Sequence, residues 1–110
     1  MLVLKGFQKH YLRGLAHHLK PLVLIGQQGI TPALMASIEE ALHAHELIKI
    51  KFNDFKEKEV KDALIREILA ESGATHVDTI GHMAIVYRPC KVTEKRKIRL
   101  PKTASEIPSR

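Results

Sequence analysis

Twice in this chain a short strand-like run leads within a few positions into a helix with its own start signal. That alternation restricts the fold more than any other feature. The first run, residues 22–25, is aliphatic and bounded by Pro21 and Gly26, as a buried strand should be. Thr31 and Pro32 follow, a hydroxyl N-cap with proline at the first helical position, and Leu34, Ile38, Ala41 and Leu42 then form an apolar stripe as far as about Ala44. The second run, 46–52, alternates: Ile48, Ile50 and Phe52 point to one face, Leu47, Lys49 and Lys51 to the other. After a turn at Asn53 and Asp54, residues 57–72 place Val60, Ala63, Leu64 and Ile68 on one side of a helix, with Gly73 as its C-cap. A strand–helix–strand unit is expected to be a right-handed crossover between parallel strands.

The flanking segments complete the pattern. Residues 7–19 predict a helix with Leu12, Leu15, Ala16 and Leu19 facing the core, ended by Pro21. Residues 75–80 and 83–88 predict a hairpin turning at Gly81-His82. The order α-β-α-β-α-β-β gives an α/β (α+β) fold: two layers, with a four-stranded mixed sheet whose last strand is antiparallel. One domain is expected over 1–89, followed by a basic, partly flexible tail over 90–110 that contains Pro101 and Pro108. There is no internal repeat. Cys90 is the only cysteine, which excludes an internal disulfide and suits a reducing compartment. The longest aliphatic run is too short to span a bilayer, and the basic residues follow the apolar Met1–Leu4 start instead of preceding it. A cytoplasmic location is expected.

Charge points to a partner. The 110 residues carry a net charge of +6, and the excess lies at the two ends. Lys5, Lys9, Arg13 and Lys20 stand in an opening stretch without an acid. Lys5, Lys9, Arg13 and His17 recur every four residues and line one helix face. Arg88 and the run Lys95-Arg96-Lys97 enrich the other end, and Lys49 and Lys51 share a strand face. Two basic ends on a nearly neutral body suit a polyanion. With no Trp, two Tyr and three Phe, base stacking on a broad aromatic platform is not expected to be the main mode.

Between the first strand and its helix lies Gly26-Gln27-Gln28-Gly29. Gly-x-x-Gly is short, and a turn needing glycine explains it by itself. Its setting adds more: small polar amides, a helix N-terminus that favours phosphate, and cations just upstream. In KH domains such a loop clamps the nucleic-acid backbone, because missing side chains let amides approach phosphates. It is not a Walker loop, since no lysine follows Gly29.

Metal and catalytic signals are absent. His17 and His18 diverge around a helix, His43 and His45 straddle a predicted helix end, and neither Cys-x-x-Cys nor His-Glu-x-x-His occurs. The acids Glu39, Glu40, Glu57, Glu59, Glu67 and Glu71 are spaced like exposed helix surface. No catalytic residue, metal or cofactor is expected.

A longer pattern is more specific. Leu12-Arg13-Gly14-Leu15-Ala16-His17, Leu19-Lys20-Pro21 and Leu24-Ile25-Gly26-Gln27-Gln28-Gly29-Ile30-Thr31 occur in order. They are followed by His45-Glu46-Leu47-Ile48-Lys49-Ile50-Lys51, Gly73-Ala74, Ile80-Gly81 and Val86-Tyr87-Arg88-Pro89. This resembles the bacterial YhbY proteins, stand-alone CRM domains named for chloroplast RNA splicing and ribosome maturation. The resemblance spans nearly the whole domain. It implies a fold like the C-terminal domain of bacterial translation initiation factor three. It also implies binding of structured RNA, in association with large-ribosomal-subunit precursors. Its signature loop maps onto Gly26, Gln27, Gln28 and Gly29, and its basic positions onto Lys9, Arg13, Lys20, Lys49 and Lys51. The linker at 53–57 and the tail depart from the pattern, so a role for Lys95, Arg96 and Lys97 rests on charge alone. The expected partner is RNA, with no membrane and no small-molecule substrate. The alternatives are a module docking an acidic protein and an unrecognised RNA-modifying enzyme.

Overall fold

The computed structural model describes residues 2–103 and Ser105. Its elements are α1 (Gly6–Ala16), β1 (Val23–Ile25), α2 (Pro32–His45), β2 (Leu47–Phe52), α3 (Lys58–Ser72), β3 (Thr75–Ile80) and β4 (Met83–Tyr87), followed by a 3-10 turn, Thr93–Lys95. Local chemistry sets the boundaries. The Thr31 hydroxyl accepts from the Leu34 N–H at 3.1 Å and Pro32 opens α2. Gly73, at φ +72°, closes α3 by donating its N–H to the Leu69 carbonyl at 2.9 Å. Gly81, at φ +59°, turns the β3–β4 hairpin.

The sheet order is β1-β2-β4-β3. β1 pairs parallel to β2, whereas β4 is antiparallel to both β2 and β3. β2 and β3 therefore run the same way, as a crossover demands, with β4 inserted between them. This is the mixed α+β arrangement expected from the sequence.

Alternation in β2 and β4 divides the core into two clusters. Ile48, Ile50, Phe52, Ala84 and Val86 meet Ile38 and Leu42 of α2 and Ile65 and Ile68 of α3 on one face. Leu47, Ile85, Tyr87 and the bulged Val77 meet Leu12 and Ala16 of α1 on the other. Helix α1 thus adds a layer that a two-layer description leaves out. It also ends earlier than expected, at Ala16, and Leu15 and Leu19 are 38% and 40% exposed. Contact with the sheet is centred on the i, i+4 row of Leu12 and Ala16. Leu15 lies at the rim of that row, and Leu19 lies beyond the helix.

The chain after Pro89 is also less separate from the domain than the expected tail over 90–110. Residues 90–103 return to the domain: Ile98 and Leu100 pack against the α1 cluster, Pro101 is buried, and Gln8 Nε2 donates to the Pro101 carbonyl at 3.0 Å. The clamp is Glu46. It is 2% exposed, and its carboxylate accepts the N–H groups of Cys90 (2.8 Å), Lys97 (2.8 Å) and Ile98 (2.9 Å). Three charge-assisted bonds leave this buried acid well satisfied. The expected tail also includes residues 104 and 106–110, which lie outside the described residues.

Candidate nucleic-acid interface

The Gly26–Gly29 loop leaves β1 just beyond Ile25, whose register partner is Phe52 at the end of β2. The loop is a tight turn, with the Gly29 N–H donating to the Gly26 carbonyl at 3.0 Å. Gly29 has φ +66°, which explains its glycine; nothing lies within 4 Å of a Cβ placed on Gly26. Gly26, Gln27 and Gln28 are exposed. The junction is open to solvent. At the start of α2, Pro32 has no N–H and the Thr31 hydroxyl already holds Leu34, so part of the helix's anion-binding capacity is self-capped.

Beside the loop lies a shallow cleft of about 350 Å³, lined by Leu24, Gly26, Gln27, Gln28, Gly29, Thr31, Ala33, Leu34 and Ser37. From Ser37 a second hollow of about 280 Å³ continues past Leu22, Glu40, Ala41, Ala44 and His45. Both lie along the edge strand β1 and helix α2, with Ser37 common to the two.

Cations approach this region from the α1 face of the sheet. Leu24 is in register with Lys51, and Lys51 with Met83, so the exposed Lys51 stands next to the cleft wall on the sheet's outer face. Lys49 lies one step back, its Nζ 3.0 Å from the Leu19 carbonyl. Arg13 reaches down from α1 to Asp78 at 3.1 Å and to His10 Nδ1 at 3.1 Å. Asp78 and Lys49 flank Ile85 across neighbouring strands, so Arg13 and Lys49 bracket one row of the sheet. Lys5, Lys9 and Lys20 are exposed. Exposed Leu22, Leu24 and Ile80 lie among these charges.

The remaining expected site residues lie elsewhere. Arg88 follows β4 at the far end of the sheet, where its backbone N–H meets the Glu46 carbonyl. Its guanidinium bonds Glu39 at 2.7 Å and the Ser72 carbonyl at 2.9 Å. Arg96 Nε donates to the Cys90 carbonyl at 2.8 Å, and Lys97 Nζ to the Ala44 carbonyl at the end of α2. Lys95 is exposed in the same turn. The six residues of β2 separate this group from the loop by roughly 17 Å.

Two residues with no signal in the periodicity of the sequence shape the surroundings of these cations and of the loop. Glu46 is one. The other is Phe55, at φ +57°, whose ring lies 3.6 Å from where a Gly29 Cβ would stand. Among the described residues, three ionisable groups have displaced pKa values. Arg88 lowers Glu39, burial lowers His76, and burial with nearby Glu46 raises Tyr87. None lines the cleft. Among the described residues, no three His, Cys, Asp or Glu side chains gather to hold a metal ion.

The sequence matches the CRS1 / YhbY (CRM) domain over residues 4–88. A Haemophilus influenzae RNA-binding protein is 45% identical over 93% of this chain and 99% of its own length. YqeI of Bacillus subtilis, named a probable RNA-binding protein, is 36% identical over 90% of this chain and 100% of its own. A Staphylococcus aureus protein, solved in solution as a candidate RNA-binding protein, superposes with a TM-score of 0.76 at 34% identity, covering 90% of this chain and 100% of that one. With its domain matched almost end to end and its mixed sheet and three helices shared with a solved relative, the chain belongs to the CRS1 / YhbY (CRM) domain family.

Proposed function

We propose that this protein is a non-catalytic, cytoplasmic RNA-binding protein of ribosome assembly, acting on precursors of the large subunit. The loop Gly26–Gly29 holds a phosphate backbone. Lys51 extends the contact over the sheet, with Lys49 sharing its ammonium with the Leu19 carbonyl; Lys5, Lys9 and Lys20 extend it on and beside α1, with Arg13 sharing its guanidinium with Asp78. The observation that carries the reading is the turn ahead of α2, which leaves Gly26, Gln27 and Gln28 exposed with only the Gly29 N–H spent on the Gly26 carbonyl, and exposed Lys51 beside it. Relatives named for RNA binding support the choice of polyanion. Arg88 has a lesser part, since its guanidinium already holds Glu39 and the Ser72 carbonyl, and Lys95, Arg96 and Lys97 add non-specific affinity from a separate surface.

The test is the double substitution Gln27→Glu, Gln28→Glu. Both side chains are exposed, so the fold should persist while two carboxylates repel phosphate. Binding to a large-subunit ribosomal RNA transcript should fall by about tenfold or more at low salt. Unchanged binding by the folded variant would remove the loop from the interface.

A second reading, docking of an acidic protein, draws on exposed Leu22, Leu24 and Ile80 set among lysines. Nuclease treatment before gel filtration separates the two. Co-migration with ribosomal particles that survives digestion favours a protein partner.

A further inference from the structure

Of the three Phe and two Tyr, only Phe55 is exposed, at 37%; Phe52 and Tyr87 are core residues, and Phe7 and Tyr11 are half-buried. An aromatic ring left partly in water gains little from burial, yet this one is held in a costly way. Its backbone is left-handed, at φ +57°, a conformation that bulky side chains disfavour. The approach is fixed by the Asn53 N–H, which donates to the Ile25 carbonyl at 2.9 Å, and by the Asp54 N–H, which reaches the same oxygen at 3.4 Å. Ile25 is the last residue before Gly26, so one carbonyl ties the ring-bearing segment to the root of the glycine loop. A Cβ placed on Gly29 would meet Cε2 of the ring at 3.6 Å and Cζ at 3.8 Å. The ring's edge therefore lies beside the second glycine, and the residue keeps part of its surface, 37%, in solvent.

We infer that Phe55 is a base-stacking residue, so that the loop takes an unpaired nucleotide whose phosphate meets the loop amides and whose base lies on the ring. This rests on the RNA-binding reading and deepens it by naming the form of RNA engaged at this point: an unpaired, splayed nucleotide, not a duplex. Local charge supports the division of labour. In the linker that carries the ring, Asp54, Glu57 and Glu59 offset Lys56 and Lys58, so no excess of positive charge is concentrated in that segment. A neutral base with a π-face fits there better than a charged group. Unpaired bases reach aromatic side chains because they are free of the helical stack, whereas paired ones are not. The linker that carries Phe55 has no helix or strand period, which is why the sequence pattern does not mark it.

The chain has no Trp, so Phe55→Trp puts a single fluorophore at the site. The test compares the native protein, Phe55→Leu and Phe55→Trp on a short adenosine oligoribonucleotide and on a fully paired RNA duplex, with circular dichroism as the check on folding. Leucine keeps an apolar group against Gly29 but has no ring. We expect Phe55→Leu to lose about tenfold in affinity for the adenosine strand and to keep its duplex affinity. Phe55→Trp should retain single-strand affinity, with its emission quenched as the strand is added. Equal single-strand affinity for the native protein and Phe55→Leu overturns the inference, as does an equal loss on both RNAs, which would mean the ring merely shapes the loop. If the native protein bound neither RNA, the RNA-binding reading itself would fall, and the inference with it.

Discussion

The two ends of the sheet carry similar charge and use it differently. At the loop end the glycine turn and Lys51 face solvent, and little in the chain competes for them. At the other end Arg88 holds Glu39 and the Ser72 carbonyl, Arg96 holds the Cys90 carbonyl, and Lys97 caps the last turn of α2 at Ala44. Glu46 completes that end by gathering three backbone N–H groups from residues 90–98. A cation whose donors are already occupied helps to close the fold, whereas one in water can neutralise a phosphate. Net charge counts both alike. The contrast predicts that substitutions at the far end act on stability, and those at the loop end act on binding.

The largest effect should come from Glu46→Ala. It leaves three backbone donors without their acceptor in a half-buried setting, and we expect a loss of about 3–4 kcal/mol in a urea titration. Glu46→Gly should cost about 1 kcal/mol less, because the residue sits at φ +65° and glycine relieves that strain. If the two variants were equally unstable, the backbone conformation would carry no cost. If Glu46→Ala were as stable as the native protein, the clamp would be ornamental and the contrast between the ends would collapse.

Inside the loop, the two glycines should separate from each other. Gly29→Val places a β-branched residue at φ +66° and should cost about 1–2 kcal/mol. Gly26→Val meets nothing within 4 Å and should cost under about 0.5 kcal/mol. Both cover the amides, so RNA affinity should fall in each. Thermal melts beside filter binding would check this, and a stable Gly26→Val with native affinity would break the assignment.

Salt dependence sharpens the comparison among the cations. Lys51→Ala should reduce the slope of log affinity against log salt by about 0.7 on single-stranded RNA, one phosphate's worth. Arg88→Ala should leave the slope alone and lose about 1 kcal/mol of stability, because the Ser72 carbonyl loses its donor and Glu39 is largely exposed. The reverse outcome would place the interface at the wrong end of the sheet.

How much of this was legible in the sequence depends on the range of the contacts involved. Periodicity and caps are local: Thr31-Pro32, Gly73 and the alternation of Ile48, Ile50 and Phe52 announced α2, the end of α3 and β2. The glycine loop was legible too, since its turn is written in adjacent residues. The return of residues 90–103 was not. Ile98, Leu100 and Pro101 are diluted by lysine and arginine, and their anchors are distant in sequence: the Glu46 carboxylate, about fifty positions earlier, for Ile98, and Gln8 for Pro101. Phe55 escaped for a related reason, because its meaning comes from Gly29, reached only once β1 and β2 are paired. The α1 stripe failed at Leu15 and Leu19 because periodicity gives a face but not the width of the surface it meets.

The smallest effect belongs to His76, on the edge strand β3 towards the far end, where it pairs with Val86. Burial lowers its pKa below the ordinary 6.5, against the opposing pull of Asp78, and its Nε2 lies 2.8 Å from the Thr79 hydroxyl. The folded state therefore favours the neutral ring. Its contribution is fully present above the unfolded value of 6.5 and is lost as the pH falls from there through the lower folded pKa, because the unfolded chain binds the proton first. Native protein should melt at a lower temperature at mildly acidic pH than at neutral pH, and His76→Gln should flatten that part of the profile. At neutral pH the same variant should bind RNA as the native protein does, since the ring faces the α3 side of the sheet and not the loop. A melting profile with the same acid slope in both proteins would assign the pH dependence to another group. A loss of RNA affinity in His76→Gln would show that the far end is not as separate from the interface as its geometry makes it.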